Sequence, residues 1–148
     1  MREGQTGSYS YSAAKPTEDG AEVAKEIYKG AWKNNQKHGI GKQNYLGIGE
    51  YYGNWEFGEK CGEGVMMYVN GDIYSGHWKN GKKDGQGTYI FEATKMKFVG
   101  NFKGGQLSSG KWQYPNGSYF DGHFDNNKPK GTGQWHFQNG NVVSGNYS

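Results

Sequence analysis

The chain has 148 residues, a formal net charge of +3, and 27 glycines beside only 3 prolines. Glycine this far above its usual share of ~7%, without a three-residue period, excludes collagen, and the 16% aromatic content separates the chain from disordered sequences, which are poor in aromatics. The 17 basic and 14 acidic residues are interspersed, a balance too mild to imply nucleic acid. Aliphatic residues are scarce, so a core must be built from Tyr, Trp and Phe. The single cysteine, Cys61, has no internal disulfide partner and fits a reducing compartment. No apolar run approaches the ~18 residues of a spanning helix, and residues 1–20 carry no apolar signal segment. A cytoplasmic location is the expectation.

Taken in chain order, residues 1–26 read as a flexible N-terminal tail. Residues 1–20 mix Ser, Gly, Tyr and Ala with polar groups and suit a disordered or docking arm; residues 21–26 could form a short helical turn. From residue 27 one phrase recurs: aromatic, any, Gly, any, aromatic. It appears as Tyr28-Lys29-Gly30-Ala31-Trp32, then Tyr51-Tyr52-Gly53-Asn54-Trp55 and Tyr74-Ser75-Gly76-His77-Trp78. Phe98-Val99-Gly100-Asn101-Phe102 and Phe120-Asp121-Gly122-His123-Phe124 follow, then a partial Val143-Ser144-Gly145-Asn146-Tyr147. The intervals between starts are 23, 23, 24, 22 and 23 residues, the mark of a repeat array.

Each phrase is followed by a second, opened by Gly39/Gly41, Gly62/Gly64, Gly85/Gly87 and Gly131/Gly133; the fourth repeat keeps only Gly110 and is one residue short before it. Large residues stand two and four positions after the second glycine, as in Met66 and Tyr68 or Trp135 and Phe137. Three repeats close on Asn70-Gly71, Asn116-Gly117 and Asn139-Gly140, a pair that tolerates the positive φ of a type I′ turn. A period of two makes each phrase a strand with one apolar face. The expected fold is therefore all-β: an elongated single-layer antiparallel sheet of stacked hairpins over residues 27–148, with about ten strands spanning ~45–50 Å. The packing aromatics are Tyr28, Trp32, Tyr51, Trp55, Tyr74, Trp78, Phe98, Phe102, Phe120 and Phe124. The repeat glycines are Gly30, Gly41, Gly53, Gly64, Gly76, Gly87, Gly100, Gly110, Gly122 and Gly133. Glycine normally weakens a strand; recurring in phase with the aromatics, it is read as space for a ring from the next repeat. The chain stops inside a sixth repeat, so its last strand is either a cap or the end of a fragment, and offers an edge for pairing with another chain.

The residues that could carry chemistry are scattered. His38, His77, His123 and His136 do not converge: His77 and His123 lie two repeats apart, ~19 Å by strand spacing, whereas metal ligands share one ion at ~2 Å. Cys61 is read as a turn-proximal surface thiol, and Glu59 and Glu63 as exposed carboxylates with no enclosing pocket. Gly39-Ile40-Gly41 and its copies lack the following helix of a phosphate loop. No catalytic residue, metal or cofactor is expected. Lys37, Lys60 and Lys83 share one repeat phase and should line an edge about 10 Å apart. They are read as a solvated loop edge, with anionic lipid as the alternative. Leu107 and Pro129 break the row in later repeats. Nucleic acid is not expected, because the aromatics are committed to packing rather than to a stacking platform.

The Tyr-x-Gly-x-Trp…Gly-x-Gly unit resembles the MORN repeat, and the likeness covers residues 27–148. That resemblance implies a non-catalytic, protein-binding scaffold. The histidine that precedes Gly-x-Gly in the family survives only as His38, with Cys61, Asp84 and Lys130 in its place elsewhere, so no histidine-dependent role is carried over. Thr88-Tyr89-Ile90-Phe91-Glu92-Ala93-Thr94 followed by Phe98-Val99-Gly100-Asn101-Phe102, and Phe124-Asp125-Asn126-Asn127-Lys128-Pro129-Lys130-Gly131-Thr132-Gly133-Gln134-Trp135, further resemble the MORN-repeat radial spoke head proteins of motile cilia. The sequence departs from these in its N-terminal tail and in Gly47-Ile48-Gly49, which replaces Asn-Gly. This likeness implies a structural subunit of the axoneme, in the cytoskeleton of a cilium or flagellum. Its partners would be other radial spoke head proteins in a large complex, with self-association through a sheet edge. The alternatives are a membrane-tethering module and a regulatory segment of a larger enzyme.

Overall fold

The computed structural model describes residues 5–12, as backbone, and residues 25–147. They form one antiparallel sheet of twelve strands in chain order. The strands are β1 (Gln5–Ser12), β2 (Lys25–Lys33), β3 (Gln36–Tyr45), β4 (Gly49–Glu56), β5 (Glu59–Tyr68) and β6 (Ile73–Lys79), then β7 (Lys82–Ile90), β8 (Lys97–Lys103), β9 (Gln106–Gln113), β10 (Tyr119–Asp125), β11 (Lys128–His136) and β12 (Val142–Tyr147). The two-residue period is visible in burial. On β4, Tyr51, Gly53 and Trp55 are buried while Tyr52 and Glu56 are exposed. Eleven steps of ~4.8 Å give a sheet about 53 Å long, slightly longer than ten strands would make.

One of the additional strands lies in the segment read as a flexible tail. β1 pairs with β2, with Gly7 opposite Gly30 and Tyr9 opposite Tyr28. That is the register in which β5 meets β6, where Gly64 faces Gly76 and Met66 faces Tyr74. Gly7-Ser8-Tyr9-Ser10-Tyr11 repeats the phase of Gly64-Val65-Met66-Met67-Tyr68, so β1 is built like the second strand of a repeat. The pattern escapes notice because a 12-residue connection, from 13 to 24, separates it from β2. Of the helical turn read at 21–26, residues 25 and 26 are strand, and 21–24 lie outside the described residues, as do 1–4 and 13–20.

Two kinds of turn alternate. Within repeats, pairs of consecutive residues with positive φ join the strands: Asn34-Asn35, Phe57-Gly58, Asn80-Gly81, Gly104-Gly105 and Asn126-Asn127. These are the type I′ positions. The Asn-Gly pairs assigned to that role lie instead between repeats and adopt another form. Only their glycines have positive φ, 95° at Gly71, 93° at Gly117 and 89° at Gly140. The asparagines instead fold their side chains back. Oδ1 of Asn70, Asn116 and Asn139 accepts the N–H two residues on, from Asp72, Ser118 and Asn141, an Asx turn.

A single row of glycines crosses the whole sheet. Gly7, Gly30, Gly41, Gly53, Gly64, Gly76, Gly87, Gly100, Gly110, Gly122, Gly133 and Gly145 each face the next across a strand pair. Beside this row a bulge interrupts the pairing within the repeats. Between the Gly53–Gly64 and Trp55–Lys60 pairs, Asn54 alone opposes residues 61–63, and Gly62 turns through φ 59° there. The first glycine of Gly-x-Gly therefore serves the bulge. The fourth repeat has a smaller bulge, with Asn101 opposite Ser109 and Phe102 opposite Leu107, which explains its missing residue and the Ser108 that stands in the first-glycine position.

Candidate functional site

All ten packing aromatics are buried, joined by Met66 and Leu107. Their rings form a buried spine along the sheet. Trp55 meets Tyr28 edge-on at 5.4 Å and Tyr51 at 5.2 Å; Trp78 meets Tyr51 and Tyr74, both at 5.2 Å. Phe102 continues it on Tyr74 at 5.0 Å, and Phe124 links Phe98 to Phe120. Trp55, Trp78 and Phe124 thus each bridge the first aromatic of their own repeat and that of the repeat before, while Phe102 meets the earlier Tyr74. Such edge-on pairs are worth ~0.5–1.5 kcal/mol each beyond burial.

The glycine row makes room for these rings, but for a different ring than the sequence suggested. A Cβ on Gly64 would stand 2.1 Å from the Tyr51 hydroxyl and 2.4 Å from its ring, and Gly41 and Gly87 stand in the same relation to Tyr28 and Tyr74. Tyr28, Tyr51, Tyr74 and Phe120 lie over the glycines of their own hairpins, not their neighbours', whereas a Cβ on Gly100 or Gly110 would meet strand backbone. The three tyrosines are held there because each hydroxyl reaches the carbonyl set free by the bulge. Tyr28 Oη donates to Ala31 O at 2.7 Å, Tyr51 Oη to Asn54 O at 3.0 Å and Tyr74 Oη to His77 O at 2.9 Å. Burial pushes the Tyr51 and Tyr74 phenols far above their usual range, so they remain donors. The neighbouring repeat contributes the tryptophan: Trp55 Nε1 donates to Gly41 O at 3.0 Å and Trp78 Nε1 to Gly64 O at 3.1 Å. Phe102 and Phe124 have no such donor, so the later interfaces lack this indole-to-carbonyl bond.

Lys37, Lys60 and Lys83 are not a solvated edge. Lys60 Nζ lies 4.7 Å from the Tyr45 ring centre, 5.2 Å from Trp78 and 5.7 Å from Tyr51. Lys83 lies 5.3 to 5.7 Å from Tyr89, Tyr68 and Tyr74, and Lys37 5.1 Å from Trp55 and 5.5 Å from Tyr28. Ammoniums over ring faces are attracted by the ring quadrupole. Burial lowers all three lysine pKa values, with Lys37 and Lys83 adding repulsion at Lys60 and Glu26 opposing the shift at Lys37. Because each lysine pairs across the strands with a buried aromatic, as Lys60 does with Trp55, its side chain belongs to the aromatic face. The nine-residue offset and the even spacing from Gly64 to Lys60 both survive the bulge, so the lysine shares the aromatic face; what the sequence does not show is the course of its side chain over the rings.

The other candidates stay apart. His77 pairs with Glu63 at 2.7 Å on the outer face. Burial and the neighbouring Glu56 push the Cys61 thiol up, away from the reactive thiolate. Among the described residues no group of three His, Cys, Asp or Glu side chains gathers to hold a metal, and no helix is long and apolar enough to cross a membrane. A residue the sequence did not single out is Asp72, which is buried. Its carboxylate accepts from Tyr89 Oη at 2.8 Å and Glu92 N at 2.9 Å, tying the second inter-repeat turn to the end of the third repeat.

The fold and its spine define a stacked-hairpin repeat protein, in which neighbouring units share one aromatic face. The MORN repeat model matches residues 28–45, 51–73, 74–92, 98–119 and 120–142. The chain belongs to the MORN repeat family, a non-catalytic repeat module associated with protein and membrane binding. No curated protein matches it.

Proposed function

We propose that the chain is a structural scaffold and protein-interaction module, and specifically a component of the radial spoke head of the ciliary or flagellar axoneme. The observation that supports a scaffold is the bridging tryptophan. Trp55 and Trp78 each fasten two repeats by two ring contacts and one hydrogen bond to backbone, making a thin sheet stiff enough to hold other proteins in a fixed spacing. The spoke head assignment rests on the sequence likeness of residues 88–94, 98–102 and 124–135 to those proteins. A tagged copy should localise to motile cilia and co-fractionate with other spoke proteins; exclusion from the axoneme refutes the assignment. The membrane alternative needs outward-facing lysines, and the inward course of Lys60 and Lys83 over rings weighs against it.

A further inference from the structure

Lys60 and Lys83 are cations in an open groove with no carboxylate against them. The ion pairs among the described residues are Lys42–Glu50, His77–Glu63 and Lys95–Glu92, and neither lysine takes part. Their side chains cross the aromatic face. Lys60 leaves β5 opposite Trp55, and its ammonium lies among the rings of Tyr45, Trp78 and Tyr51. Between Lys60 and Lys83 lies a recess of about 220 Å³, floored by Met66 and Trp78 and bounded by Ile48 and Gly105. It continues past Lys83 into a second recess lined by Tyr89, Phe91 and Phe102. In the next two repeats the lysine position holds Leu107, which is buried, and Pro129. The groove is therefore cationic in its first half and apolar in its second.

The spacing selects the occupant. Successive lysines stand two strands apart, ~9.6 Å. A polyproline II segment rises ~3.1 Å per residue with three residues per turn, so one of its faces repeats every ~9.3 Å. A β-strand repeats a face every ~6.8 Å and misses the second lysine. An α-helix returns after seven residues at ~10.5 Å, which drifts three times faster out of step along the row. Polyproline segments also dock on aromatic-lined grooves, and Tyr45, Tyr68 and Tyr89 alternate here with the ammoniums. We propose that this groove takes an acidic, proline-rich segment of another protein, extended along the sheet with one carboxylate at every third residue. The inference rests on the reading of the array as a protein-binding module and names the chemistry of its partner.

The test is fluorescence anisotropy of a labelled peptide of four Glu-Pro-Pro repeats, titrated with the full chain. Two control peptides carry the same composition with scrambled glutamate spacing, or Lys in place of Glu. The regular acidic peptide should bind best and weaken at about 0.5 M salt, where exposed ion pairs are screened. The double variant Lys60→Gln, Lys83→Gln should bind it about tenfold or more weakly, as expected when both charge pairs across the interface lose a partner. Lys60→Arg, Lys83→Arg should keep the preference, and the exposed pair Lys79→Gln, Lys103→Gln should not alter it. Equal binding of the scrambled or lysine peptide overturns the proposal, with or without a foldable variant. So does binding to phosphatidylserine vesicles that depends on Lys60 and Lys83 while the peptide fails. If no peptide binds but the tagged chain still co-fractionates with other proteins, this inference fails and the scaffold reading stands.

Discussion

Replacing Gly64 with alanine tests why glycine recurs in the middle of a strand. The new Cβ would lie 2.1 Å from Tyr51 Oη and 2.4 Å from two of its ring carbons, where ordinary contact begins at 3.4 Å. The ring must therefore move by about 1 Å, and it has nowhere to go: Trp55 and Trp78 press its edges at 5.2 Å, and its hydroxyl is held by Asn54 O. Overpacking of this kind costs ~1–3 kcal/mol, and the lost hydrogen bond places Gly64→Ala near the upper end. Tyr51→Leu removes the three clashing atoms and costs ~2–4 kcal/mol by itself. In that background Gly64→Ala should be neutral or stabilising by ~0.5–1 kcal/mol, because alanine loses less backbone freedom than glycine. Urea unfolding of the two single variants and the double variant measures a coupling of ~2 kcal/mol or more. Costs that add to within ~0.5 kcal/mol would refute the assignment of the space to Tyr51.

Tyr74→Phe leaves the His77 carbonyl without its donor and should lower stability by ~1–2 kcal/mol in urea unfolding; an unchanged midpoint would mean water replaces the phenol at no cost. Trp78→Phe keeps the ring contacts but removes the bond to Gly64 O, so amide exchange in β6 and β7 should quicken relative to β2 and β3, and uniform exchange would count against the bridging role. At Asp72, burial favours the neutral acid, but bonds from Glu92 N–H and Tyr89 O–H outweigh it and hold the folded pKa below 3.8. Its contribution is thus present above pH ~4 and lost as pH falls through the folded pKa. Asp72→Asn should be less stable than the natural chain near neutrality and lose less on acidification; parallel melting curves against pH would show that the carboxylate carries no linkage.

Legibility followed periodicity. Wherever a two-residue alternation ran unbroken, as from Tyr51 to Trp55, the buried face could be read from residue type alone. The bulge was not legible, since nothing in Glu63-Gly64 announces that one residue will oppose three. That is why the space over Gly64 was given to the wrong ring: the Tyr51 hydroxyl folds back to the Asn54 carbonyl at the bulge. Lys60 keeps its parity with Gly64 through the bulge, and only the course of its side chain over the rings was hidden. β1 was missed for another reason. Gly7, Tyr9 and Tyr11 carry the repeat phase, but half a motif beyond a 12-residue connection falls below what spacing can detect. Asp72 gave no signal because its partners, Tyr89 and Glu92, are 17 and 20 residues away.

The stiffness of the array depends most on tryptophan joining adjacent repeats. Proton NOE spectra of the full chain, with Trp55 and Trp78 assigned by substitution, measure this directly. The indole of Trp55 should show cross-peaks to the rings of both Tyr28 and Tyr51, and that of Trp78 to both Tyr51 and Tyr74. Cross-peaks confined to the tyrosine of the same repeat would mean that the hairpins do not interlock, and the stiff scaffold would have no physical basis.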